Sequence, residues 1–323
     1  MRAWQVAELG EPREAMRLAD DVARPVAGPA QLLVRVRAAA VNFPDALMVR
    51  GQYQVRPPLP FTPGVELCGE VVEGPRAGER VIGNPVLPGG AFAEYALLEA
   101  AAAFPAPEAL DDAEAAALHI GYQTAWFALH RRAGLRPGET LLVHAAAGGV
   151  GSAAVQLGRA AGARVIAVVG GPGKAAVARA LGADLVVDRT AEDFTAVVAE
   201  ATGGRGADVV FDPVGGAAYA GSAKCVAFEG RIVVIGFASG EIPAPALGHA
   251  LVKNYSILGL HWGLYNTRDP QAVRAAHEEL TKLAEAGVVR PLVSDRLPLA
   301  GAAEAVQRVA DGRSTGRVVV LGA

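Results

Sequence analysis

The residues best suited to chemistry sit at a junction between an apolar run and a helix. Leu141-Leu142-Val143-His144 leads into Ala145-Ala146-Ala147-Gly148-Gly149-Val150-Gly151, and a helical stretch follows from Ser152 to Ala161. The spacing is Ala146-x-Gly148-x-x-Gly151, with Ala at the usual first glycine. Glycines let the backbone approach a pyrophosphate, and a helix N-terminus adds free N–H groups and the positive end of the dipole. Gly148, Gly149, Val150 and Gly151 are therefore expected to bind a dinucleotide. A single motif of this kind is weak, and its weight depends on a strand before it and a helix after it.

Charge indicates which dinucleotide. A site for the unphosphorylated cofactor usually places an acid after the second strand, where it accepts from the ribose 2′-OH. Here that place reads Val168-Val169-Gly170-Gly171, and no Asp or Glu occurs from Thr140 to Gly182. Lys174 follows the second strand candidate and Arg189 follows the third. Both strand ends face the same edge of a parallel sheet, so both cations are expected to meet a 2′-phosphate through charge-assisted bonds. NADPH is the expected cofactor. Gly170 opens the Gly170-Gly171-Pro172-Gly173 loop, which is expected to offer further backbone N–H groups to the phosphate.

The elements that must hold this junction are legible along the chain. Strand candidates are Thr140–His144, Arg164–Val169, Asp184–Asp188, Asp208–Asp212, Arg231–Gly236 and Tyr255–Leu260, starting 24, 20, 24, 23 and 24 residues apart. Such spacing implies parallel strands joined by crossover helices. Runs such as Val165-Ile166-Ala167-Val168-Val169 suit strands covered on both faces. Thr190 and Asp193 give one crossover helix a capped start. Before residue 112 the chain reads as β-rich, with strand candidates at Gln31–Arg37, Val65–Val72 and Ala91–Leu98 and a proline-dense loop through Pro57, Pro58, Pro60 and Pro63. Ala113–Leu118 and Tyr122–Arg131 read as helical. After Leu260 come helices over Asp269–Ala286 and Ala302–Asp311 and a final strand over Gly316–Leu321. This tail is too small for a core of its own and is expected to return to the β-rich part.

Composition sets the outer limits. At roughly 100–200 residues per domain, 323 residues make about two domains. A net charge of −3 is not the footprint of a nucleic-acid binder. Cys68 and Cys225 are the only cysteines, which excludes a disulfide framework and a four-Cys zinc site. The charge-free stretch Thr140–Gly158 is long enough to raise a membrane span, but its central glycines, His144 and Gln156 favour the strand–turn–helix reading. The N-terminus has no apolar signal segment, so a cytoplasmic protein is expected.

Taken together, the chain resembles the zinc-free quinone oxidoreductase branch of the medium-chain dehydrogenase/reductases, which includes zeta-crystallin. The resemblance runs over essentially the whole chain. It rests on Asn42-Phe43-Pro44-Asp45, Arg50-Gly51-Gln52-Tyr53, Pro63-Gly64-Val65-Glu66, Gly90-Ala91-Phe92-Ala93-Glu94-Tyr95, Tyr122-Gln123-Thr124-Ala125, the Gly148 turn, Asp212-Pro213-Val214-Gly215-Gly216, Val234-Ile235-Gly236-Phe237 and Thr315-Gly316-Arg317-Val318. It implies an α/β chain with a Rossmann doubly wound parallel six-stranded sheet and a discontinuous GroES-like β-domain, with the active site in the cleft between them. The expected bounds are 1–117 for the first part of the GroES-like domain, 118–260 for the Rossmann domain and 261–323 for the return. The resemblance also implies a homodimer through the last Rossmann strand.

Zinc-dependent members of the superfamily need Cys and His ligands. Here Asn42 stands at the first cysteine position, and the Gly-His-Glu ligand motif reads Gly64-Val65-Glu66. Cys68 is a lone neighbour, and the histidines (His119, His130, His144, His249, His261, His277) show no ligand spacing. No metal is expected, so the acceptor must already be electrophilic. The resemblance assigns Asn42 to hydrogen bonding near the ribose and the substrate oxygen. Tyr53 is the candidate donor beside the substrate, and Thr124 is expected at the nicotinamide carboxamide. Val214, Gly236, Phe237 and Ser239 are expected along the cofactor, and Arg317 is expected to reach it from the C-terminal tail. Three functions remain open: an NADPH-dependent quinone reductase, a reductase of enones or enoyl thioesters, and a non-catalytic NADPH-binding protein.

Overall fold

The alternating apolar segments after Glu139 form one parallel sheet in the computed structural model, which describes residues 1–322. Its spatial order is Leu185–Asp188, Arg164–Val169, Thr140–His144, Ala207–Asp212, Val226–Val234 and Ser256–Gly259, every neighbouring pair parallel. The first strand in sequence therefore lies between the second and the fourth. Strand order reverses there, which is where ligands of such sheets bind, outside the carboxyl ends. Val165 to Val169 are all buried, as their unbroken apolar run requires. Asp193 caps the helix Phe194–Ala201 by accepting from the Thr195 N–H at 2.9 Å. Thr140–His144 and Arg164–Val169 have the bounds expected of them. The fifth strand starts earlier than expected, at Val226, because Glu229 takes φ 57° and the register slips between Ala207 and Val209. The strand thus resumes after an interruption that apolar patterning does not announce.

The chain divides into two compact units, Met1–Ile120 with the segment from His277 onward, and Gly121–Ala276. The expected return at 261 thus falls at 277. Within the second unit, Tyr265 packs its ring 4.3 Å from that of Phe127, and Gln123 Nε2 donates to Val273 O at 3.0 Å. Those contacts keep residues 261–276 with the Rossmann unit. The two helical segments expected after residue 112 are one helix, Asp112–Trp126, continued by a π-helical stretch Phe127–Arg132. Gly121 weakens a helix by only about 1 kcal/mol and does not end this one.

The first unit is built on a seven-stranded sheet. Gln31–Ala40 is its central strand, antiparallel to Leu67–Val71, to Tyr95–Glu99 and to the C-terminal strand Arg317–Leu321. The tail therefore completes the sheet begun by the first hundred residues, with Val319 opposite Ala40 and Leu321 opposite Ala38. Val293–Pro298 adds a parallel edge strand beside it. The helix Phe43–Val49 follows the central strand directly, and Asn42 is its N-cap.

Candidate active site

The Rossmann unit carries the dinucleotide turn. Ala145 bends at φ 48°, Gly148 N donates to Ala145 O at 2.8 Å, and Gly148 caps the helix Gly149–Ala160. A Cβ on Gly151 would fall on Ala145 O and stand 2.9 Å from Ala146 Cα. The helix can approach the turn so closely only because residue 151 has no side chain. The first N–H groups of a helix have no intrahelical acceptors, as an anion site requires.

His144 ends the first strand and is buried. Ser222 Oγ donates to Ala218 O at 2.8 Å, so it must accept from His144 Nε2 at 2.8 Å. Burial pushes this imidazole down to about 4, and it is neutral at pH 7. Sequence reading gives no role to His144 or Ser222. Their pairing spans 78 positions, and no local motif marks it.

Lys174 and Arg189 lie where the strand ends predict. Lys174 is in the first turn of Pro172–Ala180, and Arg189 follows the third strand. The Arg189 guanidinium lies against Gly170, with Nη2 3.1 Å and Cζ 3.4 Å from the point where a Gly170 Cβ would stand. One expectation needs correction. The Gly171 N–H is not open to a phosphate, because Asp188 Oδ1 accepts it at 2.8 Å together with the Thr190 N–H and hydroxyl at 3.0 and 2.7 Å. These bonds, that from Gly171 foremost, hold the Asp188 carboxyl below its ordinary range.

Val214, Gly236, Phe237 and Ser239 are brought together by a zipper between two loops. Asp212 Oδ1 accepts from the N–H groups of Val214 and Gly215 at 2.9 and 3.0 Å, which forms the turn after the fourth strand. Ala238 N donates to Pro213 O, and Ser239 N and Oγ both donate to Val214 O, at 3.0, 3.0 and 2.7 Å. The Ser239 hydroxyl hydrogen is thereby engaged within the protein. Thr124 is buried on the helix Asp112–Trp126. The same helix is tied to Gly149–Ala160 by Gln156 Nε2 donating to Tyr122 Oη at 2.9 Å.

The first unit carries a second constellation. Asn42 is 5% exposed, and its amide is heavily used: Nδ2 donates to Ala40 O at 3.1 Å and to Glu66 Oε1 at 2.8 Å, while Oδ1 accepts from Arg317 Nη1 at 2.9 Å. Arg317 also pairs with Glu66. Arg317 is 4% exposed, and its side chain serves Asn42 and Glu66 in the interior. Its place beside Asn42 follows from strand pairing, since Val41 N donates to Val318 O at 2.9 Å. Asp45 Oδ2 accepts the Asn42 N–H at 2.7 Å and Oδ1 the Gly64 N–H at 3.0 Å; burial pushes this carboxyl up to about 7. Both Nδ2 hydrogens of Asn42 are spent, so the amide retains only an acceptor lone pair on Oδ1. That suits a hydroxyl donor and does not suit a developing oxyanion. Tyr53 is half-buried against the same core, and its phenol is raised by burial and, secondly, by Asp45.

The residues present do not fit zinc. Asn42 and Val65 supply no ligand, and the Cys68 thiol is buried, 3.7 Å from Asp112 Oδ1 and pushed up to about 12, far from the thiolate a metal needs. Among the described residues no group of three or more His, Cys, Asp and Glu is placed to hold a metal. A cavity of about 420 Å³, bordered by Lys224, Cys225 and Phe228, opens by Gly206 and Val226 where strands begin, at the edge opposite the Gly148 turn.

Comparison with known proteins agrees with this geometry. Residues 28–108 match the family model of the alcohol dehydrogenase GroES-like domain, and residues 149–282 match that of zinc-binding dehydrogenases. A quinone oxidoreductase-like protein 2 homolog from Nematostella vectensis is 38% identical over 99% of this chain and 88% of its own length. The chain belongs to the zinc-free quinone oxidoreductase branch of the medium-chain dehydrogenase/reductase superfamily. Two solved members of that branch superpose on it closely. The Thermus thermophilus quinone oxidoreductase, solved also with NADPH, is 37% identical, with a TM-score of 0.86 and coverage of 99% of this chain and 100% of that one. The Escherichia coli quinone oxidoreductase complexed with NADPH is 28% identical, with a TM-score of 0.90 and the same coverages. The zinc in the name of the matched family model thus describes other members of the superfamily, since this branch member lacks the donor set.

Proposed function

We propose that this oxidoreductase reduces quinones with NADPH and without a metal. The observation that carries the reading is the pairing of a glycine-cradled helix N-terminus with two cations and no acid after the second strand. Gly151 lets the helix N-terminus close onto the Ala145 turn where a pyrophosphate would bind, and the Arg189 guanidinium beside Gly170, with Lys174 on the next helix, fits a 2′-phosphate. The NADPH-bound relatives support the same cofactor.

NADPH supplies a hydride from the nicotinamide C4; with one proton from water this converts a quinone to its hydroquinone and leaves NADP⁺. The chain's own groups bind and orient. The helix Gly149–Ala160 takes the pyrophosphate on its first N–H groups. The zipped loops at Val214, Gly236, Phe237 and Ser239, together with buried Thr124, hold the nicotinamide end. Asn42 Oδ1 accepts a ribose hydroxyl, the only hydrogen-bonding role its network leaves open. Tyr53 is the donor toward the acceptor's oxygen, where negative charge develops. A quinone needs no Lewis acid to accept hydride, which agrees with the absent zinc ligands.

The same reading includes a homodimer. Ser256–Gly259 is an edge strand of the sheet, and the nearby Phe228, Ile242, Leu247, Leu251 and Val252 are 71–80% exposed. An unpaired strand beside apolar surface is a template for a second copy. No helix among the described residues is long and apolar enough to cross a membrane.

The test follows NADPH consumption in one panel of 9,10-phenanthrenequinone, 1,4-benzoquinone and small enones. Quinone turnover is expected. Turnover of enones alone would replace the quinone reading, and tight NADPH binding with no turnover would favour a binding protein.

A further inference from the structure

Asn42 is held by three polar contacts of opposite sense. Its Nδ2 faces two acceptors, Ala40 O and Glu66 Oε1, and its Oδ1 faces one donor, Arg317 Nη1. Turning the amide over would set its NH2 against a guanidinium and its carbonyl against a carboxylate and a backbone carbonyl. Two of the three partners are side chains, and they are bound to each other. Glu66 is anchored in turn, since its Oε2 accepts the Ile120 N–H at 2.8 Å. Arg317 is anchored by its strand, where its own N–H donates to Leu292 O at 2.7 Å. Its Nη1 donates to Asn42 Oδ1 and its Nη2 is paired in charge with Glu66, while neither Nε nor Nη2 makes a hydrogen bond.

We infer that Arg317 and Glu66 are positioning residues that lock the Asn42 carboxamide in one orientation, with only an acceptor lone pair left for the cofactor. This rests on the NADPH reading above for its consequence, but the lock itself is a property of the protein alone. The pair acts through Asn42. Arginine is required over lysine, because one planar fork reaches two acceptors at once, and an ammonium keeps the charge beside Glu66 without that geometry. The buried guanidinium, although burial lowers it to about 10, stays charged at neutral pH.

R317K is the primary variant and E66Q the second, with N42A as the reference for losing the amide altogether. Two readouts are taken on the full chain: the side-chain NH2 resonances of Asn42 without cofactor, and the KM and kcat with NADPH and 9,10-phenanthrenequinone. R317K is expected to shift or broaden the Asn42 NH2 pair and to raise the KM for NADPH by about threefold or more, with kcat at saturation within about twofold. The double variant R317K/N42A is expected to raise the KM no further than N42A does, because both changes act on one contact. An unmoved Asn42 resonance in folded R317K and E66Q would overturn the lock. So would additive effects of R317K and N42A on the KM. A protein indifferent to NADPH would refute the cofactor reading, and the resonance would still decide the lock.

Discussion

Removing the cations at the second and third strand ends tests cofactor choice most sharply. Arg189 is exposed and Lys174 half-buried, so each bond to a 2′-phosphate is worth the lower part of the range for charged hydrogen bonds, about 1.5 kcal/mol, after solvent screening. At 1.4 kcal/mol per tenfold, R189A and K174A should each lower kcat/KM for NADPH by about tenfold, and the double variant by somewhat less than a hundredfold because the two share one phosphate. NADH has no 2′-phosphate, so its kcat/KM should change by less than about twofold. Gly170 supplies an independent handle. The Arg189 Nη2, Cζ and Nε lie 3.1, 3.4 and 3.4 Å from the site of a Gly170 Cβ, so G170V should displace the guanidinium and mimic R189A without removing a charge. The assay is the initial rate with a fixed saturating quinone and varied NADPH or NADH. Equal losses with both cofactors would refute the 2′-phosphate role, and G170V behaving as wild type would refute the seat assigned to Arg189.

Three further outcomes are expected. G151A puts a methyl onto the backbone of Ala145, which cannot yield as a side chain can, so it should cost about 1–3 kcal/mol in urea unfolding and abolish NADPH binding by calorimetry; retained binding would show that the close approach is unnecessary. Stability should fall as pH drops from 6.5 toward 4. His119 and His144 are held neutral by burial, down to about 3 and about 4, so the unfolded chain takes up protons in that window that the folded chain refuses. Asp45, raised to about 7, has the opposite sign: folded, it keeps a proton that the unfolded chain has released, so it adds stability as pH falls and offsets one histidine. The net slope should approach about 1.4 kcal/mol per pH unit, measured by denaturant unfolding between pH 6.5 and 4.5, and a flat profile would contradict it. Dialysis against a chelator should leave quinone reduction unchanged, and an activity lost on chelation and restored by zinc would overturn the metal-free chemistry.

The Rossmann unit was legible because its signals are local. Val165–Val169 is apolar at every position since helices cover both faces, and the Gly148 turn states its geometry in its own residues. The interruption at Glu229 was not legible, because a positive φ at a non-glycine residue leaves no compositional trace. The first unit is less legible: Ala91–Leu98 has the pattern of one strand, but the ladder begins at Tyr95, since Ala91 and Phe92 donate instead to Gly64 O and Pro63 O. At the site, Asn42 and Arg317 were named from motif position, yet their bond joins residues 275 apart. Only the pairing of the last strand with Gln31–Ala40 brings them together, and only then does Arg317 become an interior partner of Asn42. Asp188 shows the same limit, since its hold on the Gly171 N–H depends on two strand ends meeting at one edge.

The most direct test of metal-free hydride transfer to a quinone is a single turnover of the metal-depleted protein, loaded with NADPH carrying deuterium at the transferred C4 position and mixed with 9,10-phenanthrenequinone. The structure predicts stoichiometric NADP⁺ and hydroquinone, formed more slowly with deuterium than with hydrogen. Bound NADPH that persists unoxidised in the presence of the quinone, or oxidation that begins only when zinc is returned, would contradict it.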